Sequence, residues 1–168
     1  MAEDELRNRQ GPVEEDIALQ RKRWRFERAG FIGLWVVVAL ALAGLFSTGP
    51  LSDVEARTAD GRLVVHYQRF SRNGAQDNLV IEAHGHPDEM LAISLSGRWL
   101  EGMSIEALNP QPSPLRSENH DLLIPMRADA NGLAVVYLTL RCDGVGLYQG
   151  AVALKGAQAI TAAKFIYP

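Results

Sequence analysis

Between Ala29 and Phe46 the sequence reads AGFIGLWVVVALALAGLF, eighteen residues without a charge. As a helix, at about 1.5 Å per residue, such a run measures roughly 27 Å, close to the hydrocarbon thickness of a bilayer. Unpaired backbone groups are costly in lipid, so an embedded segment of this kind has to be helical. Arg21, Lys22, Arg23, Arg25 and Arg28 crowd its N-terminal side, whereas Arg57 alone follows closely, among Asp53, Glu55 and Asp60. The positive-inside rule reads those five cations as topology determinants. It places the N-terminus in the cytoplasm and the residues after Ser47 across the membrane.

Two other readings compete. Ala41-Leu42-Ala43 has the form of a signal-peptidase site, which would make the run a cleaved signal peptide. Against that, the preceding residues are many and partly acidic, and the apolar run continues through Leu45 and Phe46. A buried core helix is the other reading, and the absence of any polar face argues against it. The expectation is therefore a single transmembrane helix over about residues 30–46.

Net charge is −3. Residues 1–29 hold seven acids and seven bases, so the deficit belongs to the part beyond the apolar run. No run of bases occurs there, which leaves no footprint for nucleic acid. Cys142 is the sole cysteine, so an internal disulfide is ruled out and a fold in an oxidising compartment has to rest on its core. A small buried strand residue is the expected role of Cys142.

Residues 1–12 are polar, end at Gly11-Pro12, and read as a disordered cytoplasmic tail. Residues 13–46 read as one juxtamembrane and transmembrane helix, acids first and bases last, with Trp24 and Phe26 as interfacial anchors. Gly49-Pro50 supplies the stop, and residues 47–54 read as a linker. Over residues 55–168 the period changes. Apolar, β-branched runs at Arg62–Phe70, Leu79–Ala83, Met90–Leu95, Leu122–Met126, Leu133–Leu140, Gly146–Leu154 and Ala159–Tyr167 are each bounded by Gly, Pro, Asn or Asp. Trp99–Leu108 reads either as strand or as a short helical turn. Asn109–Pro114 reads as a crossover loop, and Pro125 as an edge or bulge position. The expected class is mainly β: an antiparallel, Ig-like β-sandwich of about seven or eight strands behind the helix. Its core candidates are Val64, Tyr67, Leu79, Ile81, Leu91, Ile93, Trp99, Val135, Tyr137, Leu140, Val152, Leu154, Phe165 and Tyr167.

Chemistry is sparse. His84-Gly85-His86 has the i, i+2 spacing that points two imidazoles one way on a strand, and Met103, Met126 and Cys142 could add soft ligands for copper. The pair stands before Pro87 in a turn, however, where polar residues are expected anyway, so no metal site is assigned. Asp77, Asp121, Asp129 and Asp143 all stand beside turn residues, where Asp bonds nearby backbone. No nucleophile elbow, phosphate loop or dinucleotide fingerprint occurs, and neither cofactor nor small-molecule substrate is expected. Arg69, Phe70 and Arg72 form a basic-aromatic strand end, read either as an ordinary solvated face with packed aromatics or as a contact for lipid headgroups or a partner.

Gly49-Pro50-Leu51-Ser52, Val64–Phe70, Pro110-Gln111-Pro112 and the terminal Phe165-Ile166-Tyr167-Pro168 resemble patterns in small one-span bacterial membrane proteins that accompany YetF-type membrane proteins. The resemblance implies an inner-membrane protein whose periplasmic domain contacts another membrane or envelope protein, and it supplies no catalytic residue. The functional expectation is a non-enzymatic binding or scaffold module held at the bilayer. A copper chaperone using His84 and His86 is the alternative.

Overall fold

The computed structural model describes residues 17–45, 48–111, 116–118 and 121–168. The expected tail at residues 1–12, the start of the helix at Val13, and residues 112–114 of the expected crossover loop lie outside the described residues. Two compact units divide at Ala39.

Helix α1 (Ile17–Leu42) ends earlier than the apolar sequence does. The Gly44 N–H donates to the Ala41 carbonyl at 3.1 Å and the Leu45 N–H to the Leu40 carbonyl at 3.0 Å. Paired bonds of this kind close a helix around a left-handed glycine, and Gly44 has φ +95°. Gly49 then packs on Gly44 so closely that a Cβ on Gly44 would stand 2.6 Å from the Gly49 Cα. The expected helix over 30–46 is thereby corrected at its C-terminal end. The charge-free part of α1 is residues 29–42, about 21 Å long. Among the described residues no helix is long and apolar enough to cross a membrane. Phe31, Ile32, Leu34, Trp35, Val36 and Val37 are all exposed, so α1 is apolar around its circumference rather than along one stripe.

Eleven strands follow among the described residues, more than the seven or eight expected: β1 (Asp53–Arg57), β2 (Leu63–Gln68), β3 (Phe70–Arg72), β4 (Gln76–His84), β5 (Met90–Gly97), β6 (Met103–Asn109), β7 (Arg116–Glu118), β8 (Asp121–Arg127), β9 (Leu133–Cys142), β10 (Gly146–Leu154) and β11 (Ile160–Tyr167). They form a five-stranded sheet ordered β1-β2-β4-β9-β6 and a six-stranded sheet ordered β3-β11-β10-β5-β8-β7. Every described pairing is antiparallel except β3 with β11, which is parallel. The Trp99–Leu108 ambiguity resolves into both answers: α2 (Trp99–Gly102) runs straight into β6. β7 pairs only with Asp121–Leu123. Among the described residues Pro125 therefore has a strand neighbour on one side alone, which suits a residue that cannot donate.

Side chains alternate across each strand, and the inward set from both sheets makes one core. Leu63, Val65, Leu79, Ile81, Val136 and Leu138 of the first sheet meet Leu91, Ile93, Ile124, Val152, Leu154 and Ile166 of the second. Fully burying each such side chain contributes about 1.5–3 kcal/mol. Trp99 adds an edge-on contact with Tyr67 at 5.7 Å between ring centroids. Two strands carry the opposite facing to the one expected. On β9, Ala134, Val136, Leu138 and Leu140 are buried while Tyr137 is exposed; on β11, Ile160, Ala162 and Ile166 are buried while Phe165 faces out. A one-residue slip exchanges the two faces of a strand, and these runs carry apolar residues at both parities.

Candidate interaction surface and buried polar cluster

The chain changes sheets at Arg69. β2 belongs to the first sheet and β3 to the second, so the backbone between them is pinned: the Arg69 N–H donates to the Ser52 carbonyl at 2.8 Å and the Arg69 carbonyl accepts from the Phe165 N–H at 2.7 Å. Ser52 is fully buried, and its hydroxyl accepts from the Phe70 N–H at 3.2 Å. With Ser71 turned inward, Phe70 and Arg72 face the other way.

Parallel pairing sets Phe70 beside Phe165, and the antiparallel β10–β11 pair sets Phe165 beside Leu147. One apolar row thus crosses three strands, with Leu147 55% and Phe165 37% exposed. Tyr167 braces it, 4.9 Å from Phe165 and 6.1 Å from Phe70 between ring centroids. Arg69 and Arg72 are exposed at its border, and among the described residues no carboxylate pairs with either. The sequence had marked Arg69, Phe70 and Arg72; it missed Leu147 and had placed Phe165 in the core.

Inside the same end of the sandwich lies a polar cluster absent from the expected sites. Asp77 on β4 and Lys164 on β11 face each other across the two sheets, 5% and 2% exposed, and form an ion pair between Lys164 Nζ and Asp77 Oδ2. The Ser71 hydroxyl donates to that same oxygen at 2.9 Å, and the Asn78 N–H donates to Oδ1 at 2.7 Å. Burial pushes the Lys164 ammonium down to about 8. Burial likewise pushes the Cys142 thiol up, with a hydrogen bond to Ser71 working the other way. Asp77 is therefore not a turn aspartate. Asp129 is one: it accepts from the Asn131 and Leu133 N–H groups at 2.8 and 2.9 Å, bonds that hold its carboxyl below the usual range.

His84 and His86 are both exposed at the opposite end of β4. The Gly85 N–H between them is bound to the Gly132 carbonyl at 2.8 Å, and the His86 N–H donates to Glu89 at 2.7 Å. Met103 and Cys142 cannot join them. Leu133 pairs with His84 and Cys142 with Met103, so the length of β9, about 30 Å, separates the two sets. Among the described residues no three His, Cys, Asp or Glu side chains converge on an ion position. His66 lies on the outer face of the first sheet between Glu55 at 3.9 Å and Glu82 at 3.6 Å. The five cations Arg21, Lys22, Arg23, Arg25 and Arg28 all lie on α1, exposed, with the Arg28 guanidinium 5.1 Å from the centre of the Trp24 ring.

No protein-family model matches the chain, and no curated protein matches it. Among solved structures it is similar to a non-cellulosomal cohesin from the hyperthermophilic archaeon Archaeoglobus fulgidus, with 13% identity over 58% of this chain and 84% of that one, at a TM-score of 0.39. It is also similar to the cupredoxin domain of amoB from Nitrosocaldus yellowstonii, with 14% identity over 64% of this chain and 57% of that one, at a TM-score of 0.29. Neither likeness bears on what this chain does.

Proposed function

We propose that this chain is a non-enzymatic binding module held at a bilayer by α1, its β-sandwich on the periplasmic side. The observation that carries the binding role is the row Phe70–Phe165–Leu147 with Arg69 and Arg72 exposed at its border and without a carboxylate partner among the described residues. Exposed aromatics bordered by free guanidinium groups are the composition of an interface centre. The charge complement is an acidic segment carrying apolar side chains on another membrane or envelope protein. Tethering raises the effective concentration for such a partner, so modest intrinsic affinity suffices.

Membrane attachment rests on the uncharged circumference of residues 29–42 and on the cations that precede it. A short apolar helix matches a thicker bilayer by local thinning and by flanking Arg and Lys side chains reaching to the headgroups. The resemblance to one-span bacterial membrane proteins points the same way and favours the inner membrane with a cytoplasmic N-terminus.

A photo-crosslinking residue placed at Phe70 or Leu147 in native membranes tests the binding role. The expected result is one captured membrane or envelope protein, lost on Arg69→Glu with Arg72→Glu and unaffected by charge reversal at Glu101. Recovery of self-contacts and lipid alone overturns it. Alkaline extraction tests the anchor: the full chain stays in the membrane pellet, and its release into the soluble fraction defeats that part of the reading.

A further inference from the structure

The cluster inside the sandwich brings together an amine and a carboxyl group in direct contact, out of water, on opposite sheets. Lys164 Nζ touches Asp77 Oδ2, and the two side chains are only 3% and 2% exposed. Ionised groups are costly in such a place unless fully compensated. Proton transfer from ammonium to carboxylate removes both charges and leaves a free amine against a carboxylic acid. Burial works in that direction, lowering the Lys164 ammonium to about 8.

We propose that Lys164 and Asp77 react with each other to form a side-chain amide that staples β11 to β4 across the core. The Nζ lone pair attacks Asp77 Cγ, and the carbon–oxygen π electrons move to Oδ1. The Asn78 N–H, already 2.7 Å from Oδ1, stabilises the negative charge that develops there. The Ser71 hydroxyl, 2.9 Å from Oδ2, relays a proton from the attacking nitrogen to Oδ2. The Cγ–Oδ2 bond then breaks, the Oδ1 carbonyl re-forms, and Oδ2 leaves as water. One amine hydrogen and the acid's O–H account for that water. Nothing is oxidised or reduced, and no co-reactant is needed. Proximity removes the entropic cost of bringing the two groups together, and exclusion of solvent opposes hydrolysis of the product. Ser71 and Asn78 act on reacting atoms, so they are the catalytic groups of this single-turnover reaction.

The proposal is independent of the docking surface and of membrane attachment. Its test is the intact mass of the full chain, purified in detergent and measured under denaturing conditions. The expected mass is lower than the sequence mass by one water, and proteolysis yields a branched peptide joining the segments that contain residues 77 and 164. Asp77→Ala and Lys164→Arg return to their full calculated masses. Asp77→Asn still forms the link and loses ammonia in place of water. Ser71→Ala slows the reaction, seen as a larger unlinked fraction in freshly made protein. Wild-type protein at its full sequence mass, with no branched peptide, overturns the proposal and leaves an ion pair. That measurement needs no variant to fold.

Discussion

β4 carries titratable groups at both ends, and the two ends could hardly differ more. At its start Asp77 is buried, bonded at both oxygens and matched with Lys164 on the facing sheet. At its other end His84 and His86 stand exposed, and the backbone between them makes the contacts. Imidazoles at metal spacing attract notice in a sequence, whereas a lone Asp near Asn73-Gly74 reads as turn furniture. Enclosure, not residue type, decides which end can do chemistry, because removal from water is what shifts ionisation and makes one contact decisive.

The largest effect expected from this contrast is on stability at the Asp77 end. Asp77→Ala orphans a buried amine and costs about 3–5 kcal/mol, with the entropy of the opened loop added where the amide is lost. Denaturant unfolding of purified protein measures it, and a cost below that of an ordinary core truncation breaks the comparison. The same variant sharpens it through pH. Its Lys164 keeps the burial that lowers the folded value to about 8 against the ordinary 10.5. Between those values the unfolded chain holds a proton that the folded chain has released, so stability rises with pH across that window and is flat below it. Linked wild-type protein has no amine at this position and lacks the rise; a rise in both proteins speaks for an unlinked pair.

Next in size is a backbone effect at the histidine end. Gly132 has φ +79°, and a Cβ there would stand 2.3 Å from the Gly85 carbonyl oxygen. Gly132→Ala is expected to destabilise by about 1–3 kcal/mol through strain at a left-handed position. Smallest of all are His84→Ala and His86→Ala, within about 0.5 kcal/mol of wild type. Copper and zinc titrations of either variant beside the parent are expected to show no stoichiometric tight binding. A site lost on either substitution reverses the ranking of the two ends.

Much of the strand order was legible because turn residues punctuate it. Gly146–Leu154 was read to the residue, and Asp-Gly before it marked the turn. β1 was missed since Asp-Val-Glu-Ala-Arg alternates charges with small apolar residues and looks like a linker. Arg62–Phe70 reads as one strand because no Gly or Pro marks the sheet change at Arg69; the buried hydroxyl of Ser52 holds that bend instead. The pair at the core was hidden by the last strand. Ile-Thr-Ala-Ala-Lys-Phe-Ile-Tyr offers apolar residues at both parities, and a lysine ordinarily settles such a tie by facing water. Here the pattern of Ile160, Ala162 and Ile166 prevails and carries Lys164 inside, because Asp77 waits there. The Arg69–Phe70–Arg72 end was legible as composition, but Leu147 joins it only through a register that no local pattern encodes.

The parallel partnership of β3 with β11 also has a consequence in time. Phe70 pairs with Phe165, 95 positions later, and all of β4 to β10 is threaded between them. A chain delivered from its N-terminal side thus presents β3 without its one strand partner among the described residues until β11 has emerged. The apolar row and the polar cluster are both completed by that same late arrival. Closing so long a loop is slow relative to hairpin formation, and the interval is when an unpaired strand is most exposed to wrong neighbours. Pairing of β3 therefore waits on β11.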